Sequence, residues 1–184
     1  MNTDIGYLEL ILGPMFSGKT SKLTTIYKKH KLCGNIPLVV NHSLDNRYSL
    51  AGNELHTHDK YSIPCISIDK LEDISDKIID NHEIILINEG QFFEDILIFV
   101  KKSLEKNKDI YIAALDGDYK QTPYENILNL IPISNKIKKL NSVCVLCKGK
   151  NPAIYSHRIT KNTNRTLVGT DNYIPVCRNC YKTK

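Results

Sequence analysis

The stretch GPMFSGKT, residues 13–20, constrains this chain more than any other. It fits G-x-x-x-x-G-K-[ST] at every fixed position and follows a continuous apolar run, YLELIL at 7–12. It also opens a helix-like stretch, GKTSKLTTIYKKHKL at 18–32, that ends near Gly34. A buried strand, a glycine-bearing turn and a helix, in that order, form the context in which such a motif binds phosphate. Successive backbone N–H groups converge on the anion, and the helix N-terminus adds partial positive charge. Gly13 and Gly18 permit close backbone approach, with Pro14, Met15, Phe16 and Ser17 between them. Lys19 is placed to reach β/γ-phosphates and Thr20 to offer a hydroxyl to magnesium. An incidental glycine turn would leave Lys19 and Thr20 without a reason at those positions.

The rest of the chain alternates short apolar runs with amphipathic stretches. IPLVVN (36–41), YSIPCISI (61–68), EIILIN (83–88), DIYIAAL (109–115) and KIKKLNSV (136–143) read as extended segments. DKLEDISDKIID (69–80), with Leu71, Ile74 and Ile78 at helical spacing, and DILIFVKKSLEKN (95–107) read as helices. Continuous apolar strands belong to a parallel sheet covered on both faces. The fold class expected is therefore α/β, with a mostly parallel sheet. Residues 42–60 show no period and read as a long loop, a length uncommon unless it is functional or disordered.

At 184 residues, 41% hydrophobic and 24% charged, the chain has room for one domain and a small appendage. No apolar run approaches the roughly 18 residues of a membrane span. MNTDIGYLEL lacks the pattern of a signal peptide, so the cytosol is the expected compartment.

A phosphate loop needs a second, acidic strand end for metal and nucleophile, and EIILINEGQFF is the candidate. Asn88 stands where an Asp is usual, and Glu89 follows. Glu89 reads either as a general base for an attacking hydroxyl or water, or as an exposed loop acid.

The net charge of +5 is uneven: residues 136–184 carry eleven Lys/Arg and a single acid, Asp171. That surplus suits a polyanion or is a solvated lysine-rich surface; no stacking aromatics interleave it as in single-strand binders. Four of the six cysteines form Cys144-x-x-Cys147 and Cys177-x-x-Cys180, with 29 residues between the pairs. Four thiolates at this spacing suit a closed tetrahedral zinc site, structural rather than catalytic, stapling residues 148–176. Two independent redox dithiols are the alternative. Cys33 and Cys65 read as small buried hydrophobes. The composition shift near residue 143 divides the chain into 1–143 and 144–184.

Together these features resemble the cytosolic, zinc-containing type of thymidine kinase found in animals, bacteria and large DNA viruses. The strings carrying the resemblance are LILGPMFSGKT, DNRYS, THD, EGQFFEDI, AALDGDY, ILNLIP and VCRNCY, in the family's order over nearly the whole chain. The resemblance implies a P-loop NTPase core at 1–143 and a small zinc-ribbon or lasso domain at 144–184 that closes over the nucleoside. It implies transfer of the ATP γ-phosphate to the 5′-hydroxyl of thymidine, and of deoxyuridine, for DNA precursor synthesis. ATP, Mg²⁺ and structural Zn²⁺ are the implied cofactors; a homotetramer without nucleic-acid or membrane partners is the implied assembly.

Residue roles follow from the same resemblance. Gly13 to Thr20 would cradle the ATP phosphates, with Asp45, Asn46, Arg47, Asn88 and Gln91 nearby. Glu89 falls on the catalytic base. Phe92 and Leu115 would line the base pocket, and Tyr119 would flank the thymine ring. The lasso matches about residues 156–173, where Thr166, Leu167, Val168, Gly169 and Tyr173 would meet the nucleoside. Three departures stand out: Asn88 replaces the metal-side acid, Val168 replaces the first of two usual glycines, and the lid differs in length around 148–168. Asn88 also makes a catalytically silent homologue conceivable. A helicase fragment with a phosphate loop and zinc ribbon would need further motifs and a second core domain.

Overall fold

Residues 5–45, 54–56, 62–167 and 169–183 are described by the structure, a computed structural model. Six parallel strands set its frame: β1 (Tyr7–Leu12), β2 (Leu38–His42), β5 (Ile66–Ile68), β6 (Ile84–Ile87), β7 (Asp109–Ala114) and β8 (Lys136–Lys139). Their order across the sheet is β5-β2-β6-β7-β1-β8, and every pairing is parallel. The two-residue period of a strand sends alternate side chains to opposite faces. Leu8, Leu10, Leu12, Ile85, Ile87, Ile110 and Ile112 form one core with Phe93, Ile96, Phe99 and Val100. Ile11, Val39, Ile84, Leu86 and Ala113 form the other with Leu23, Ile26 and Tyr27. Burial on both faces explains why these strands read as continuous apolar runs. Each large side chain buried in this way contributes about 1.5–3 kcal/mol.

Helix α1 (Lys19–Leu32) covers the second core through Leu23, Ile26 and Tyr27, at i, i+3 and i+4. Its last turn carries Lys29, His30 and Lys31, where positive charge complements the helix dipole. Helix α3 (Ile96–Glu105) covers the first core through Ile96, Phe99 and Val100. Two shorter helices, α2 (Asp76–Asp80) and α4 (Glu125–Leu128), complete the crossovers.

Several local expectations shift. The 61–68 segment divides at Cys65 into β4 (Ser62–Pro64) and β5, which belong to different sheets. β4 pairs antiparallel with β3 (Glu54–His56), a strand inside the stretch read as loop. Leu55 and Ile63 of this hairpin seal the second core. Residues 69–80 form no single helix: a 3₁₀ turn at Leu71–Asp73 ends in extended backbone at Ile74, and α2 follows. The break changes the phase, so Ile79 is buried and Ile78 is 39% exposed. The Asp95 carboxylate stabilises the 3₁₀ turn by accepting the Glu72 N–H at 2.8 Å. Cys33 is exposed, contrary to expectation, whereas Cys65 is buried.

KIKKLNSV also splits. β8 forms the exposed edge of the main sheet, where its lysines oppose edge-to-edge pairing. Ser142–Val143 is a separate strand, β9, paired with β10 (Pro152–Ala153). β11 (Tyr155–Arg158) pairs with β12 (Tyr173–Val176), and α5 (Arg178–Lys182) follows. These C-terminal strands share a small core of Cys144, Ala153, Val176 and Cys177.

Candidate active site

β1 delivers the chain to Gly13, whose φ is 149°. A Cβ there would lie 2.4 Å from the Leu140 carbonyl oxygen, so only glycine fits. Within the loop, Ser17 Oγ and Lys19 Nζ each donate to the Pro14 carbonyl at 2.8 Å. The loop's tip is tied to the C-terminal strands: the Met15 N–H donates to Ser156 Oγ at 2.9 Å, and Ser142 Oγ donates to the Phe16 carbonyl at 3.0 Å.

Parallel order brings the carboxyl ends of β2, β6, β7 and β1 to one edge of the sheet, where doubly wound folds place ligands. Asn88, just past β6, is 1% exposed. Its Oδ1 accepts the Thr20 hydroxyl at 3.2 Å. Its Nδ2 donates to Asn41 Oδ1 at 2.9 Å and to Asp45 Oδ2 at 3.3 Å. Asn41 Nδ2 in turn donates to the Asp45 carbonyl at 3.2 Å. The amide at position 88 thus links the phosphate-loop hydroxyl to a carboxylate beyond β2.

Glu89 adopts left-handed backbone, φ 52° and ψ 40°. Such a conformation in a non-glycine residue is uncommon and gathers at functional sites. The side chain is half-buried rather than an exposed loop acid. Gln91 Nε2 donates to Glu89 Oε2 at 2.5 Å, and Gln91 Oε1 accepts the Leu115 N–H at 2.9 Å. Gln91, expected near the phosphates, therefore sits behind Glu89, with both ends of its amide engaged there. Gly90 is required by packing, since a Cβ would meet Ile112 Cγ2 at 2.6 Å.

These parts open onto one cleft. Its walls include Met15 to Thr20, Asp45, Glu89, Phe92, Leu115, Tyr119, Thr166, Leu167, Gly169 and Tyr173. Gly13, Pro14, Asn88 and Gln91 are not among its lining residues. Asn46, Arg47 and Val168 lie outside the described residues.

Sequence reasoning missed other residues of the wall: His56, Asp118, Tyr124, Ser156 and Arg165. Arg165 donates to the Pro123 carbonyl at 2.6 Å, pairs with Asp118 at 3.2 Å and lies 4.8 Å from the Tyr124 ring centroid. Burial pushes the Tyr124 phenol up to about 12 despite that neighbouring guanidinium, so it is neutral at pH 7. The aromatic spacing of Tyr119 and Tyr124 across a Gln-Thr-Pro turn was the available signal. His42 backs Phe92 and Phe93, with ring centroids 5.6 and 4.7 Å away. Burial lowers its pKa, against the opposing pull of Asp69, Glu89, Asp95 and Asp45.

The sulfur atoms of Cys144, Cys147, Cys177 and Cys180 all lie within 4.8 Å of one another. A tetrahedral zinc–thiolate site, with bonds of about 2.3 Å, needs sulfurs about 3.8 Å apart; Cys147 and Cys177 are 4.0 Å apart. Burial opposes ionisation of Cys144, but N–H groups of Cys147 and Cys177 and the Cys147 side chain bring its thiol down to about 6. Hydrogen bonding with Cys177 and then burial push Cys180 up to about 12. Four sulfurs gathered in this way suit a cation that takes all four as thiolates.

The thymidine kinase family model matches residues 6–181. The chain belongs to the thymidine kinase family. The thymidine kinase of sheeppox virus is 44% identical over 179 residues, covering 97% of this chain and 98% of the viral protein. That of Yaba monkey tumor virus is 41% identical over 182 residues, 98% of this chain and 97% of its own. That of vaccinia virus is 39% identical over 177 residues, 96% and 97% respectively. A thymidine kinase transfers phosphate from ATP to thymidine, giving dTMP, and uses a divalent cation. The chain is accordingly an ATP-dependent phosphotransferase, and the helicase reading falls away. Among the described residues, no helix is long and apolar enough to cross a membrane.

Proposed function

We propose that the cleft phosphorylates thymidine and deoxyuridine at the 5′-hydroxyl, with Glu89 as general base. The observation that carries this assignment is the shared wall: Gly18, Lys19 and Thr20 of the phosphate loop, Glu89, and the aromatic group Phe92, Tyr119 and Tyr124 line a single cleft. The loop N–H groups and Lys19 orient the ATP phosphates. Phosphoryl transfer leaves a protein mostly positioning and electrostatics to supply. Glu89, oriented by Gln91, accepts the 5′-hydroxyl proton as the oxygen attacks. Phe92, Leu115 and Tyr119 enclose the pyrimidine, and Thr166, Leu167, Gly169 and Tyr173 close over it, with a role for Val168 resting on the family resemblance alone.

Magnesium, when bound, neutralises charge on the transferring phosphate. Thr20 and Asp45 supply hard oxygen donors of the kind it takes, with Asn88 aligning both. Asn46 and Arg47 complete the phosphate side on the strength of the family resemblance. The four cysteines hold a structural zinc that clamps the base of the lid, which excludes water from the transfer. The reading extends to a division into a kinase domain, 1–143, and a lasso domain, 144–184. A cytoplasmic homotetramer without nucleic-acid partners follows from the family alone.

Incubation with ATP–magnesium and a panel of nucleosides tests the assignment. Thymidine- and deoxyuridine-dependent formation of monophosphate is expected, with little turnover on purine nucleosides. Absence of nucleoside-dependent turnover would establish a silent homologue and refute it.

A further inference from the structure

Arg158, at the end of β11, is 6% exposed and does not line the cleft. Its Nη1 donates to the carbonyls of Asn162, at 3.0 Å, and Asn164. Its Nη2 donates to the Arg165 carbonyl, at 3.1 Å, and to the Tyr173 hydroxyl. The guanidinium carbon also lies 3.8 Å from the Tyr119 ring centroid and 5.0 Å from that of Tyr173. No carboxylate among the described residues pairs with this buried cation. Its charge is met by neutral carbonyls, a phenol and two aromatic rings.

We propose that Arg158 is a positioning residue for nucleoside recognition, which sets the 162–165 segment and the Tyr119 ring as one unit. The inference rests on the cleft being the nucleoside site. A guanidinium suits the task because its N–H groups form a rigid planar fork, and its weakly hydrated face stacks on aromatic rings. The segment is gripped from two sides. Arg158 takes the carbonyls at 162, 164 and 165, and the Tyr119 hydroxyl donates to the Thr163 carbonyl at 3.1 Å.

The Arg158 guanidinium lies over the Tyr119 ring, and Lys120 Nζ lies 5.5 Å from the same centroid, so these cations limit how the ring can face the cleft. The effect extends further through Arg165, whose backbone Arg158 holds and whose side chain reaches Asp118, Pro123 and Tyr124. One buried cation outside the cleft thereby sets two of its aromatic side chains, Tyr119 directly and Tyr124 through Arg165. The nucleotide end is set by the phosphate loop, which meets β11 at Ser156 rather than at Arg158. Loss of Arg158 should therefore separate the two substrates.

The test uses the full chain with Arg158→Lys and Arg158→Gln. Lysine keeps the charge but has neither the fork nor the flat face. Both variants should keep the zinc content of the parent and an ATP KM within about twofold of it. The thymidine KM should rise about tenfold or more in both, as expected when charge-assisted hydrogen bonds are lost. Lysine should rescue little. Limited trypsin digestion without nucleoside should cut after Lys161 and Arg165 about tenfold faster than in the parent, by the local opening that cleavage requires. Tyr173→Phe, which removes one acceptor and keeps the ring, should show a smaller shift in the same direction and serves if Arg158→Gln fails to fold. An unchanged thymidine KM, an equal rise in the ATP KM, or full rescue by lysine would overturn the proposal. Trypsin sensitivity needs no nucleoside. Faster cleavage in a chain whose parent does not phosphorylate thymidine would preserve the tie while refuting the cleft assignment.

Discussion

Asn88 donates one amide N–H to the Asp45 carboxylate across 3.3 Å and another to Asn41 Oδ1 across 2.9 Å, while its oxygen accepts the Thr20 hydroxyl. An aspartate there could accept from Thr20 but could donate to neither partner when ionised. It would also set a second carboxylate against Asp45. Local hydrogen bonding thus accounts for the asparagine, and Asp45 and Glu89 supply the carboxylates at this edge. We predict that Asn88→Asp costs about 1–3 kcal/mol in metal-free buffer, since buried partners lose their donors. Thermal denaturation with and without magnesium–ATP checks this: the deficit should shrink when the cation is present. Equal melting temperatures for the two proteins in metal-free buffer would show that the amide is dispensable.

Glu89 is oriented by a hydrogen bond from Gln91 that is anchored in turn on the Leu115 N–H. Glu89→Gln preserves the shape and removes the base. We predict a fall in kcat of about 10²–10⁴, with thymidine binding retained by calorimetry. Turnover close to that of the parent would remove Glu89 from the reaction.

The four-thiol cluster predicts about one zinc per chain in metal analysis. Cys144→Ala takes away the thiol with the depressed pKa, about 6, at the centre of the small C-terminal core. Its zinc should be lost and its lid opened to trypsin. A fully active parent protein purified without zinc would contradict this reading.

His42 predicts a pH dependence. Its folded-state pKa is lowered, by burial first, from the ordinary value near 6.5. The unfolded chain therefore binds a proton that the folded chain refuses, in the window from about 6.5 down to the folded value. Stability is fully present above that window and is lost as pH falls through it. Chemical denaturation between about pH 7 and 5 should show part of this slope removed by His42→Gln. Any contribution from the cysteines is shared by both proteins and cancels in the comparison. Identical slopes would assign the dependence to other groups.

The phosphate loop, the buried strands and the cysteine pairs were legible because each has a local cause. A glycine held at φ 149° in the turn at Gly13, a run buried on both faces at Ile84–Ile87, and cysteines three positions apart leave their marks in neighbouring positions. Short or compensated elements left weaker ones. Three-residue strands such as β3 have no period to read. The 69–80 stretch satisfied a helical spacing yet broke at Ile74, because tertiary contacts there outweigh a small propensity difference.

By itself the sequence determined the strand–loop–helix chemistry at Gly13–Thr20, the α/β class, the family and the candidate base. Only tertiary structure decided what surrounds them. Asn41, Asp45 and Asn88 meet because parallel crossovers bring the ends of β2 and β6 to one edge. Gln91 lies two residues from its partner, but the left-handed turn at Glu89 decides that its amide faces back. Arg158, Tyr119 and Tyr173 come together where the cysteine-bound strands fold back over the 116–124 turn. Their partnership is an outcome of packing and directional hydrogen bonding between distant segments, for which consecutive residues carry no periodic signal.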